Sequence, residues 1–134
     1  MEIDELGAFE RGVIAEAPPG ALVVGASLSS DGAYGVAVTF LPSANYLMDD
    51  LVIRTPEGWE GYGGGSGGGI SWTTLGDDDD RGVLRFADEA PEGVEVAVIE
   101  YEGDEYRVPV RHGHFLFVAW DAPFARDPKL LRFE

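Results

Sequence analysis

The chain contains no cysteine. That excludes disulfides, thiolate metal sites and thiol nucleophiles, so the fold must hold by packing and hydrogen bonding alone. Positive charge is scarce as well. Nine Lys and Arg residues, with Lys129 the single lysine, stand against 25 Asp and Glu, for a net charge of −16. A field of that sign opposes binding to nucleic acid and to anionic membrane, and it favours cations and basic partners. Long apolar runs are also missing, and none approaches the roughly 20 residues of a membrane-spanning helix. The start, MEIDELGAFER, is acidic and lacks the basic and apolar regions of a signal peptide. The expectation is a cytoplasmic protein that binds neither nucleic acid nor membrane, whose partner, if it has one, is a protein, with basic targets favoured.

What the chain does have is turn residues and alternating strands. Nineteen glycines and eight prolines punctuate 134 residues, a length that fits one domain spanning 1–134 with a sizeable core. The most strand-like stretch is 94–120, VEVAVIEYEGDEYRVPVRHGHFLFVAW. It reads as three strands, 94–101, 106–110 and 114–120. The spacing predicts a type II′ turn at Gly103-Asp104 and a two-residue turn at His112-Gly113. Those turns would set Tyr101 opposite Tyr106, Glu100 opposite Arg107, Ile99 opposite Val108 and Ala97 opposite Val110. Val110 and Val108 would then face Phe115 and Phe117. Alternation gathers Ala97, Ile99, Tyr101, Tyr106, Val108, Val110, Phe115, Phe117 and Ala119 on one apolar face. Pro109 cannot donate a ladder bond, so its strand has a free edge, carries a bulge, or leaves one sheet for another.

The rest of the chain follows the same pattern. Ile3, Leu6 and Phe9 fall at helical spacing, predicting a short N-terminal helix over 2–11. Residues 21–29 and 33–41 form a hairpin with a type I′ turn at Asp31-Gly32. A helical turn is expected within 43–50, then a strand at 51–55. The glycine segment 61–69, GYGGGSGGG, reads as a flexible loop; no Gly-Lys-Ser/Thr follows it, so it fails the phosphate-loop pattern. Aspartates 77–80 read as a solvated turn, because the alternate acids and closing Glu of a calcium loop are absent. Short strands at 82–87 and 129–133 complete the set, the last at a sheet edge. About seven or eight short strands with regular turns predict an all-β, two-sheet sandwich, immunoglobulin-like or fibronectin-like.

Chemistry-bearing motifs are few. The two histidines, His112 and His114, flank Gly113 and are the zinc candidates; no third ligand stands at a metal-site spacing. No serine sits in a G-x-S-x-G elbow with strand and helix context. Carboxylates abound without a distinctive pair. Trp59, Tyr62 and Trp72 flank the glycine segment and are candidates for a binding lip. No catalytic residue, cofactor site or metal site is assigned. The expected function is a non-enzymatic protein-interaction module. The runners-up are a metal-dependent hydrolase using His112 and His114, and an acidic inhibitor or immunity-type protein that covers a basic target.

Overall fold

The structure, a computed structural model, describes residues 5–76 and 78–134, without the side chains of Ser66, Asp78, Asp79, Asp80 and Arg81. It is all-β apart from one short helix: among the described residues ten strands form three antiparallel sheets. The strands exceed the expected seven or eight because 58–66, largely read as a loop, and 69–75, given no element, are strands. The chain divides into two compact units, Met1–Gly67 and Gly68–Glu134.

In the first unit, helix α1 (Glu5–Glu16) precedes a four-stranded meander of β1 (Leu22–Leu28), β2 (Tyr34–Leu41), β3 (Tyr46–Thr55) and β4 (Gly58–Ser66), in the order β1-β2-β3-β4. Period-two alternation puts Val36, Val38, Leu47 and Leu51 on one face, all buried. The other face carries Gly35, Ala37, Thr39 and Val52. Thr39 is fully buried there, and its hydroxyl has no hydrogen-bond partner among the described residues.

The helix docks on this second face through one residue, Phe9, the only buried side chain of α1. Phe9 occupies a notch that Gly35 leaves open: a Cβ at Gly35 would lie 2.7 Å from the tip of the ring. The ring also packs on Trp59, with centroids 5.0 Å apart, and the Arg54 guanidinium stacks 4.7 Å over the indole on that side. Arg54 in turn lies 4.0 Å from Glu5 on the first turn of α1.

Four expectations are corrected in this unit. The helix runs about five residues beyond the predicted end at Arg11. Within 43–50, helical geometry is confined to a 3-10 turn, Pro42–Ala44; Asn45 adopts the left-handed conformation (φ 49°) and launches β3 at once. Asn tolerates that region because its short side chain can bond locally. The glycine segment is not a loop. Most of it is β4, laddered to β3 from Met48↔Ser66 to Thr55↔Gly58. Glycine costs about 0.5–1 kcal/mol per residue in a strand relative to alanine, and the ladder to β3 overrides that local preference. The hairpin at Asp31-Gly32 is present, but with a four-residue loop. Gly32 N–H donates to the Ser29 carbonyl (2.9 Å), and the Asp31 carboxylate accepts from Ala33 N–H (3.0 Å) and Ser29 Oγ (2.7 Å).

The second unit is a two-sheet sandwich. β5 (Gly69–Leu75), β6 (Asp78–Glu89) and β9 (His114–Pro123) form one sheet, in the order β5-β6-β9; β7 (Val96–Tyr101), β8 (Asp104–Pro109) and β10 (Lys129–Phe133) form the other, in the order β10-β7-β8. Between them lie Leu84, Phe86, Ala97, Ile99, Tyr101, Phe115, Phe117 and Ala122, with Trp72, Val108, Val110, Ala119 and Phe133 packed around them. The apolar face read from 94–120 is thus the core. Lettered along the chain, the sheets are A-B-E and F-C-C′, neighbours in the order that immunoglobulin-like sandwiches use.

The registers depart from expectation in two ways. The β7–β8 turn is Glu102-Gly103, both with positive φ (54° and 85°), as a type I′ turn requires. Ile99 therefore pairs with Tyr106 and Ala97 with Val108, two residues away from the expected pairing, and Glu100 faces Glu105 in place of Arg107. A shift of two preserves every side chain's face. The three strands also do not form one meander. After Pro109 the chain crosses to the other sheet, where β9 pairs with β6. Only an isolated bridge, Arg111↔His114, closes the turn at His112-Gly113. β8 is an edge strand, which is where Pro109 can sit. Of the aspartate run, Asp77 lies outside the described residues, whereas residues 78–80 are backbone of β6 and not a turn.

Candidate functional site

The lip candidates sit in different surroundings. Trp59 is on β4 opposite Arg54, on the sheet face covered by α1, and is half-buried against Phe9. Tyr62 is at the β3–β4 bulge and packs edge-on against Tyr34, centroids 5.5 Å apart. Tyr34 pairs with Ile53 and so belongs to the opposite face. The structure therefore places Trp59 and Tyr62 on opposite faces of one sheet.

Trp72 belongs to the second unit. On β5 it pairs with Leu84, so its ring points toward the core, and its indole N–H donates to the Ala122 carbonyl at 2.9 Å. That bond holds the indole at the rim of the sandwich. Phe124, just after β9, packs edge-on against it with centroids 5.1 Å apart. Phe124 is 68% exposed, the most exposed large apolar side chain among the described residues. Ile70, two residues before Trp72 on the same side of β5, is 44% exposed. Ile70, Trp72 and Phe124 form an apolar rim beside the core. Sequence reading singled out Trp72 and missed Phe124 and Ile70. The signal available for Phe124 was its place between Pro123 and Pro128, in a loop where an apolar residue has no alternation to serve.

The histidines are tied into their own turn. His112 and Gly113 both have positive φ (54° and 76°), and Arg111 and His114 exchange backbone bonds of 2.8 and 3.1 Å. His114 is buried, and its Nδ1 lies 2.9 Å from the His112 carbonyl oxygen. A carbonyl only accepts, so Nδ1 carries the proton in that bond. Among the described residues no three His, Asp or Glu side chains are grouped so as to hold a metal ion.

The acids are divided evenly. Residues 1–67 hold ten acids and two bases and residues 68–134 hold fifteen and seven, so each unit carries −8. In the second unit the outer face of the β10-β7-β8 sheet is a charge lattice. Glu134 pairs with Arg107 and with Arg132 (2.8 Å); Arg132 also approaches Glu105 (3.7 Å), and Arg126 approaches Glu102 (3.7 Å). Hydrogen bonds from Arg132, then Arg107, hold the Glu134 carboxyl below its ordinary value. Val98, on the same outer face between Arg107 and Arg132 in register, is fully buried. In the first unit, Asp49 and Asp50 are consecutive on β3 and therefore point to opposite faces, an arrangement unsuited to shared acid–base work. Partial burial, and secondarily the charge of Asp49, push the Asp50 carboxyl up.

Comparison of the chain with protein-family models, with curated proteins and with solved structures finds no match in any of the three.

Proposed function

We propose that the chain is a non-enzymatic, cytoplasmic protein-interaction module whose binding surface is the apolar rim of its second unit. One observation carries this reading: Phe124 is 68% exposed while stacked on a half-buried tryptophan, within a unit of net charge −8. An aromatic held by a neighbour loses little side-chain freedom on binding, and such anchors dominate protein interfaces. Acidic surroundings steer basic partners toward the rim and keep the free protein soluble.

The hydrolase reading draws little from the turn, where His114 is buried and its Nδ1–H is directed to the neighbouring His112 carbonyl. The acidic-inhibitor reading draws little from the β7–β8 hairpin, where Glu102 and Glu105 already face Arg126 and Arg132.

A photo-crosslinking residue at position 124 in cells, followed by binding measurements with the partner it traps, tests the proposal. Phe124→Ser and Ile70→Ser should each weaken binding at least tenfold while thermal unfolding stays near that of the parent. Binding unchanged in both variants refutes the rim as the surface.

A further inference from the structure

Gly35 stands inside strand β2, where glycine weakens the ladder and often marks the close approach of a ligand or of another piece of chain. Its missing side chain makes the notch that the Phe9 ring enters. The Trp59 indole flanks that ring at a tilt of 47°, and the Arg54 guanidinium lies over the indole. Together these groups form a receptacle for one aromatic ring with a cation at its edge. In the free chain α1 fills it.

The rest of α1 fits the sheet poorly. Leu6 and Ile14, on one stripe of the helix at a spacing of eight, remain 41% and 39% exposed. The Glu5–Arg54 pair is 4.0 Å long with both side chains about half exposed, and pairs of that kind contribute little. Twelve residues with glycine at 7 and 12 are marginal as a helix on their own in water. One ring therefore holds the whole element, so α1 can open while the sheet stays closed.

We infer that the notch of Gly35 and Trp59 is a docking site for a partner segment that presents an aromatic ring together with a carboxylate toward Arg54, and that α1 is the displaceable cover of this site. The site lies in the first unit and is separate from the rim of the second. α1 itself displays the recognition, with Phe9 in the notch and Glu5, four residues before it, beside Arg54. Charge fits the same occupant. Arg54 is the only base in residues 17–67. Glu60, the acid of β4, pairs with Ile53 and so points to the other face. Exposed charges farther away than about 8 Å are screened at physiological salt, so the guanidinium outweighs the net charge of the unit at the mouth of the notch. A tethered occupant competes at an effective concentration on the order of millimolar, which sets how tightly a partner must bind before α1 yields.

The test uses the full chain and three dodecapeptides: the sequence of residues 5–16, the same with Phe9→Ala, and the same with Glu5→Gln. Binding to the parent and to the Phe9→Ala chain is read at physiological salt by nuclear magnetic resonance of the Gly35 amide and the Trp59 indole N–H. The first peptide should give saturable shifts at both groups of the Phe9→Ala chain and bind the parent at least tenfold more weakly. The ringless peptide should give no shifts, and the glutamine peptide should bind about two- to fivefold more weakly. Native-state amide exchange of the parent is the second measurement and needs no variant: amides of residues 9–16 should exchange at least tenfold faster than those of β2 and β3. Exchange of α1 only at the rate of β2 and β3 overturns the inference. So does a folded Phe9→Ala chain without shifts at Gly35, equal binding of the ringless or the glutamine peptide, or equal binding by parent and variant. Dimers that form as protein concentration rises, with the notch filled in both copies, assign the site to α1 of a second copy and also overturn it.

Discussion

Docking of α1 rests on a ring in a notch, and that makes it open to a double-mutant test. Phe9 is 4% exposed and is the only buried residue of a twelve-residue helix that carries two interior glycines. Phe→Ala at a buried site costs about 3–5 kcal/mol. A helix of that length is marginal on its own in water. Phe9→Ala should therefore release and melt α1 while the β sheets persist, because their ladders do not involve the helix. The assay is residue-resolved amide exchange together with far-UV circular dichroism: protection within 5–16 collapses and the helical signal falls. Gly35→Ala attacks the notch from the other side. Its new Cβ would lie 2.7, 3.0 and 3.2 Å from three ring carbons of Phe9, so the ring must retreat. Overpacking of this kind costs about 1–3 kcal/mol. The smaller side chain of Phe9→Leu should relieve part of that cost. The double mutant Phe9→Leu/Gly35→Ala should accordingly be more stable than the sum of the two single effects, by about 0.5–3 kcal/mol. Strict additivity, or helix protection unchanged in Phe9→Ala, would refute the notch as the docking point.

Three further outcomes follow from the structure. Thr39→Val removes a buried hydroxyl without a partner among the described residues and keeps the β-branched shape; it should raise stability by roughly 1 kcal/mol in denaturant titration, and a loss would show that the hydroxyl is satisfied. Gly82→Ala would drive its Cβ into the Thr73 carbonyl of the neighbouring strand, so the β5–β6 ladder must open there, and destabilisation of about 3 kcal/mol or more, or failure to accumulate folded protein, is expected. For Asp50 the folded carboxyl titrates above its ordinary 3.8, so ionising it costs stability; that cost is absent below the unfolded value and grows as pH rises through the folded one. Asp50→Asn should therefore raise the unfolding temperature at about pH 7 and leave it unchanged at about pH 3.

How much the sequence disclosed depended on what kind of information each feature carries. Facing is local: once β7 and β9 are read as strands, their period of two sorts their residues within 94–120 into two faces and leaves every acid and base among them on the outer one. The final strand was expected at 129–133 and its observed bounds are Lys129–Phe133, although its consecutive leucines break the alternation at a bulge between Leu130 and Arg132. Pairing partners are not local. Nothing in β9 says that it ladders to β6 and not to β8, since both neighbours would offer it an apolar face. The glycine segment failed for a related reason. Its own preference is for coil, and only the eight-pair register with β3 makes it a strand. The rim was only partly visible, because Trp72 stands out by size whereas Phe124 matters through its exposure, which a sequence does not print.

The β7–β8 hairpin shows why faces survive errors that pairings do not. Placing the turn one residue late moved each β8 partner by two positions. Two is one full period of a strand, so every inward residue stayed inward. What changed was the outer face, where Glu100 meets Glu105 and Arg107 is released to Glu134. A like-charged pair directly opposite is destabilising by itself. Arg132 on β10 approaches Glu105 and bonds to Glu134, placing positive charge beside that pair. The edge strand β10 is thus also the strand that brings cations to the acids of the β7–β8 hairpin.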